Sequence, residues 1–269
     1  MSYYTSLTGL KNAQTELNVV AHNIANAETN GFKKSTAAFA DIVSASVITD
    51  PALTVGIGSR VSKINQEFSL GPIAQTGSGL DLAIDGEGFF TVKSQTSGQT
   101  EYTRNGAFGL DGEGYIKSAQ GARLQAFPVT SGVADTTSLQ DVHVPQTNAA
   151  GSFFAGVTVD GTGQVIATYA DGTSEVAGKV ALANFVAPTG LKQLGSSSWQ
   201  ATGKSGSPLY GEPGSNLFGK LNSGSLERSN VDIAEELVNM ISAQRYFQAN
   251  AKAIDTATQI SQTVINLRT

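Results

Sequence analysis

The chain has 269 residues, 14% of them charged, a formal net charge of -5, 30 glycines and no cysteine. Its length exceeds one typical domain of ~100–150 residues, so it holds one large domain or two modest ones. Lys33-Lys34 is the only adjacent basic pair, which argues against a phosphate-binding face, and without cysteine no disulfide, thiolate nucleophile or sulfur metal site exists.

An average soluble domain carries roughly 25% charged residues. Here neutral Ser, Thr, Asn, Gln and Gly supply most of the polarity. Such a surface is cheaper to desolvate than one of ions, which suits a chain that is covered by neighbours. An ordinary secreted or cell-surface β-protein would share this composition. Residues 1–6 lack both the basic and the apolar regions of a secretory signal, so export would use a route without a cleaved signal. No apolar run approaches the ~20 residues of a membrane span.

Leu7, Leu10, Gln14, Leu17, Ala21 and Ile24 recur at spacings of three and four. This predicts a helix with a narrow apolar stripe, with Lys11, Asn12, Glu16 and Asn23 on its other faces. Asn30-Gly31 offers a left-handed C-cap. From Ser35 to about Pro72 the pattern is mixed. A short helical patch at Phe39, Ile42 and Val43 gives way to a break at Pro51 and Gly56/Gly58, then to alternating Val61, Ile64, Phe68 and Leu70. The stretch reads as an extended connector.

The middle is punctuated by Asp-Gly pairs after apolar runs, at Asp85-Gly86, Asp111-Gly112, Asp160-Gly161 and Asp171-Gly172. Asp-Gly between alternating runs signals two-residue hairpins with positive φ at both turn residues. A calcium reading is the weaker alternative, because neither a twelve-residue acidic loop nor a tandem nonapeptide repeat is present. Strand-like runs continue from Lys179 to Val186 and end near Trp199, a core or hairpin aromatic; Gly203 to Gly224 is loop-rich.

Helical periodicity returns after Ser229 or Asn230, either of which would cap, with Asp232, Glu235 and Glu236 in the first turns. The stripe runs Ile233, Leu237, Met240, Gln244, Phe247, Ala251, Ile254, Thr258, Ser261, Ile265. At 1.5 Å per residue this is a rod of about 50 Å, longer than a domain of this size needs. Helices at both ends of a β insertion usually pack together, and a pair this poor in charge calls for further burial, most simply by another copy.

Catalytic constellations are absent. His22 and His143 are not brought together by any spacing, and there is no Gly-x-Ser-x-Gly elbow, Walker loop, dinucleotide fingerprint or His-Glu-x-x-His helix. Gly31-Phe32-Lys33-Lys34-Ser35 lacks the first glycine of a phosphate loop. The carboxylates Asp85/Glu87 and Glu235/Glu236 read as turn and helix-start residues. No catalytic, cofactor or metal residues are expected, although glycosidase carboxylates would leave no local motif.

Several separated segments are familiar in order: Asn23 to Lys33 (NIANAETNGFK), Leu80 to Ile84 with Gly88-Phe89-Phe90, Tyr102 to Gly106 (YTRNG), and Ser229 to Ile241 (SNVDIAEELVNMI) with Ala243-Gln244-Arg245. On these the sequence resembles the bacterial flagellar rod and hook axial proteins. Leu182 to Phe185, Gly190-Leu191, Phe218 to Leu221 and the closing Asn266-Leu267-Arg268 are most similar to the hook members. The chain has no room for the large outer domain that many of those carry, its length is nearer the distal rod members, and its Ser44 to Gly58 stretch is longer than in short-connector hook members.

The resemblance implies an α+β fold in which long N- and C-terminal helices form a coiled-coil layer and a mainly antiparallel β domain is inserted between them. The expected boundaries are 1–35 with 229–269 for the helical part, 36–75 for the connector and 76–228 for the β domain. It further implies a helical homopolymer, a flexible torque-transmitting hook with a central export channel, or a rigid rod as runner-up. The expected partners are sister copies, flagellar rod, hook cap and hook–filament junction proteins and the type III export apparatus, with no nucleic acid, no membrane insertion and no cofactor. The expected location is the extracellular hook, or the basal-body rod in the alternative. The residues expected at the polymer interface are Leu7, Leu10, Leu17, Ile24, Leu237, Met240, Ile241, Phe247 and Ile254, each of which intrachain helix pairing would equally explain.

Overall fold

The structure is a computed structural model that describes residues 2–43, 56–130, 133–215 and 217–266. Two compact units divide the chain: a helical unit of residues 1–27, 34–67 and 231–269, and a β unit of residues 28–33 and 68–230.

The helical unit contains α1 (Ser2–Ala25), β1 (Ser35–Val43), β2 (Gly56–Gln66) and α2 (Ile233–Asn266). α1 stops earlier than the Asn30-Gly31 cap predicts. The Asn26 side chain donates back to the His22 carbonyl at 2.9 Å, occupying an acceptor of the last turn. Gly31 does have positive φ, +67°, but uses it in the β unit, where an added Cβ would lie 2.6 Å from the Arg104 carbonyl carbon. α2 also starts later than expected. Asp232, rather than Ser229 or Asn230, is the cap, its Oδ1 accepting the N–H groups of Ala234 (2.8 Å) and Glu235 (3.2 Å).

Phe39, Ile42 and Val43 do not form a helical patch. They lie on β1, which pairs antiparallel with β2 from Ser35↔Gln66 to Val43↔Gly56, with irregularities after Ala38 and Ile42. A short apolar run fits either period, and here the partner strand decides. The ribbon packs on α1, where the Asn12 side chain donates to Ser59 Oγ at 2.7 Å. Part of the Ser44 to Gly58 stretch, residues 44–55 including Pro51, lies outside the described residues, as do Leu267 and Arg268.

In the β unit the principal sheet runs, in spatial order, Phe154–Val159, Gln164–Tyr169, Ser174–Val180, Arg123–Phe127, Phe89–Lys93, Thr100–Thr103, Ser198–Gln200 and Lys192–Gly195. All these pairings are antiparallel. Its main core gathers Leu82, Ile84, Phe90, Val92, Leu124, Val165, Val180 and Leu182. A second core is aromatic: Trp199, fully buried, meets Phe89 and Phe68 edge-on at 5.7 and 5.5 Å.

Three of the four Asp-Gly pairs close hairpins, but not as two-residue turns. In the turns beginning at Asp111 and Asp160 the carboxylate accepts N–H groups two and four residues on, while Gly114 and Gly163, three residues on, take φ +86°. The Asp side chain thus organises a longer turn and a later glycine supplies the left-handed residue. Asp85-Gly86 closes no hairpin, since Leu82–Asp85 pairs with Lys220–Ser223. Among the described residues, a two-residue turn with positive φ at both positions is instead Ser196-Ser197 (φ 52° and 54°), joining Lys192–Gly195 to Ser198–Gln200.

A buried ion cluster in the β unit gathers residues adjoining the points where the chain passes to and from the helical unit. Glu227 accepts from Lys33 Nζ (2.6 Å), Arg104 Nη1 (3.3 Å) and the Gly71 N–H (3.0 Å). Lys33 also donates to the Ser69 carbonyl (2.6 Å) and Arg104 to the Gly86 carbonyl (2.9 Å). Burial pushes both cations below their ordinary pKa, and Glu227 opposes it. The adjacent basic pair is therefore divided: Lys33 serves the β unit and Lys34 the helical one.

Candidate assembly interface

α1 and α2 pack against each other antiparallel, with Asn23 meeting Glu236 near one end and Gly9 meeting Asn250 towards the other. The line of closest approach is made of small and polar residues. Ala13, Val20 and Ala243 are buried along it, and a Cβ on Gly9 would lie 2.5 Å from the Asn250 amide oxygen. Asn23 and Glu236 are each 1% exposed. Asn23 donates to Glu236 Oε2 (2.9 Å) and to the Ser35 carbonyl (2.8 Å), and accepts the Ser35 N–H (2.9 Å). One amide thus joins α1, β1 and α2.

Lys34 completes this end, reaching Glu235 at 2.9 Å and Glu236 at 3.1 Å. Burial works against its ammonium, but the hydrogen bonds to the two carboxylates outweigh it and hold the pKa above the ordinary value. Asn23, placed by periodicity off the stripe, and Glu236, read as a helix-start acid, are thus interface residues that sequence reasoning missed. The available signal was phase, since Glu236 lies four residues before Met240.

The large aliphatics predicted from sequence flank this line. On a wheel of 3.6 residues per turn, Leu10, Leu17 and Ile24 project about 40–80° away from the Gly9–Ala13–Val20 line. Leu7, Leu10, Leu17 and Ile24 are half-buried, as are Met240, Phe247 and Ile254. Leu237 and Ile241 stand out at 47% and 51% exposed, with Ile233 in the same row. The structure brings the two helices together but leaves much of this apolar surface open.

Among the described residues, the two histidines and the charged groove assemble no catalytic set. His22 is exposed, while His143 stacks on Tyr115 with ring centroids 4.7 Å apart. A groove lined by Lys93, Asp111, Glu113, Lys117, Arg123 and Asp141 has its charges answered in pairs, Lys117–Asp111 and Arg123–Asp141, both 3.1 Å. Among the described residues no cluster suits a metal, and no helix is long and apolar enough to cross a membrane.

Three family models match in chain order, and together they define a flagellar axial protein: the flagella basal body rod protein at residues 4–33, the flagellar hook protein FlgE/F/G D1 domain at 83–167, and the flagellar basal body rod FlgEFG protein C-terminal at 222–267. The flagellar basal-body rod protein FlgG of Bacillus subtilis is 35% identical over 278 aligned positions, covering 99% of this chain and 98% of that protein. The flagellar hook protein FlgE of Salmonella typhimurium is 28% identical over 411 positions, covering all of both chains. The solved Helicobacter pylori flagellar hook protein FlgE2 superposes with a TM-score of 0.24 at 13% identity, over 65% of this chain and 46% of that one, too low to bear on the fold. The chain belongs to the flagellar rod and hook family of structural axial proteins, whose members assemble as homopolymers.

Proposed function

We propose that the chain is a hook subunit without the large outer domain, polymerising into a flexible tube that transmits torque and leaves a central export channel. The observation that carries the polymer is the open apolar row beside the α1–α2 line, Ile233, Leu237 and Ile241 on α2, with the half-buried Leu10, Leu17 and Ile24 on the flank of α1. In this reading the terminal helices form a coiled-coil layer, with Leu7, Leu10, Leu17, Ile24, Leu237, Met240, Ile241, Phe247 and Ile254 at or beside the contacts between copies. Heterologous contacts that do not close propagate as a filament. The β units of neighbouring copies then slide across weakly charged, wet contacts while the helices hold. Rod, cap and junction proteins and the flagellar export apparatus follow as partners, and the role is structural rather than catalytic.

The hook reading is supported by the number of identities. The 411 positions aligned with the Salmonella hook protein include at least 142 in which this 269-residue chain has no residue. Yet 28% of 411 is about 115 identities, against about 97 from 35% of 278 with the Bacillus rod protein. These counts support the hook reading, with a large gap in this chain against the hook protein. A distal rod subunit is the second reading, favoured by the nearly gapless match along the whole rod protein.

Leu237→Asp tests the polymer, because it puts a charge on the open row and leaves the α1–α2 line intact. The variant stays in the supernatant at concentrations where the wild type pellets, while fluorescence of Trp199, the only tryptophan, is unchanged because it reports the β unit alone. Unaltered pelleting would remove Leu237 from the contact.

A further inference from the structure

α1 is shorter than α2, and their antiparallel register shows where the excess lies. Asn23 lies against Glu236 and Gly9 against Asn250, so Ser2 comes level with about residue 257. Residues 258–266 therefore extend past the start of α1, and every one of them is exposed. The segment TQISQTVIN carries no charge; Ile260 and Val264, each 60% exposed, are spaced i and i+4, Val264 in the seven-residue phase of Glu236, Ala243 and Asn250 and Ile260 in line with the exposed Tyr246. With Ile265, 64% exposed, three aliphatics thus stand beyond the point where α1 has ended.

A second open row, Ile233, Leu237 and Ile241, has the same i, i+4 spacing and lies on the first turns of α2. This row and the whole 258–266 overhang agree in length, about 12 Å each at 1.5 Å per residue. They cannot meet within one chain, because about 28 Å of unbroken helix separates Ile241 from Ile260. Ridges of matching i±4 spacing interdigitate when helices cross, and a neutral overhang can be covered without stranding a charge.

We propose that the α2 overhang, residues 258–266, docks on the Ile233–Leu237–Ile241 row of a second copy of this chain. This rests on the polymer reading and adds the join: the C-terminal end of one α2 against the first turns of the next. Each copy offers one overhang and one row, so the contact repeats without exhausting itself. Three aliphatics a side bury far less than the ~1,000 Å² a stable pair needs, so isolated pairs separate and the join holds only within a growing assembly.

The test uses the absence of native cysteine. The Leu237→Cys, Val264→Cys double variant, assembled and then oxidised with copper–phenanthroline, gives a ladder of dimers, trimers and higher species on a non-reducing gel, and each single variant gives none beyond a dimer. In parallel, Val264→Asp raises the concentration needed for assembly at least about tenfold, as the loss of one buried aliphatic predicts, with helix content by circular dichroism retained. Polymers that yield no ladder, a double variant that stops at a closed dimer, or a Val264→Asp chain that assembles like wild type would each overturn the join while leaving the tube standing. A wild-type chain that never pellets fails differently, removing the tube and this contact together.

Discussion

Glu227 is the residue that holds the buried ion cluster of the β unit together, taking Lys33, Arg104 and the Gly71 N–H. Two cations and one carboxylate are buried together, and Arg104 Nε has no partner there, so the cluster tolerates little loss. Glu227→Gln keeps the shape but strands Lys33 and Arg104, and breaking a buried pair in this way costs about 3–5 kcal/mol. Urea unfolding followed by Trp199 fluorescence reads that loss directly, and a shift below about 1 kcal/mol would show that the cations find other partners. None of this was legible beforehand. Lys33, Arg104 and Glu227 are spread over 195 positions, and a lone charge beside Gly31-Phe32 or within a short strand reads as solvated surface.

Among the elements, the hairpins of the β unit carry a pH signature. Burial tends to raise the pKa of Asp160, but the Thr162 hydroxyl and the N–H groups of Gln164, Thr162 and Gly163 outweigh it and hold it below the ordinary carboxylate value. At Asp171 the Thr173 hydroxyl, its N–H and the Asn148 amide act in the same direction. A folded-state pKa below the unfolded value of ~3.9 gives stability that is complete above that value and is lost as pH falls through the folded one. The thermal midpoint of the wild type therefore drops between about pH 4 and pH 2 more steeply than that of an Asp160→Asn, Asp171→Asn variant, which keeps an oxygen acceptor without the charge. Parallel profiles would mean that these carboxylates titrate normally.

The same hairpins mark how far sequence reaches. Asp-Gly identified three of the connections, because Asp before a backbone reversal is a local preference with a local cause. It failed at Asp85-Gly86, where the chain crosses to another strand pair, and no local rule singles out Ser196-Ser197, held by the Thr103 hydroxyl donating to the Ser197 carbonyl at 2.8 Å. On the helices, periodicity identified both elements and the aliphatics with open surface. It did not reveal the α1–α2 contact line, which is built from Gly9, Ala13, Asn23, Glu236 and Ala243, residues that hydrophobic patterning discounts.

For the whole molecule, the account holds that the helical unit alone leaves its apolar flanks and its α2 overhang unsatisfied, and that sister copies cover them. The low charge legible in composition belongs to this scale, since it permits burial of surface between copies without unpaired ions. Electron microscopy of the concentrated wild-type protein tests that claim most directly. Tubes of constant diameter with a central channel are the expected result, curved if the subunit is a hook and straight if it is a rod. Single particles at every concentration, with no tubes after salting-out, would contradict it.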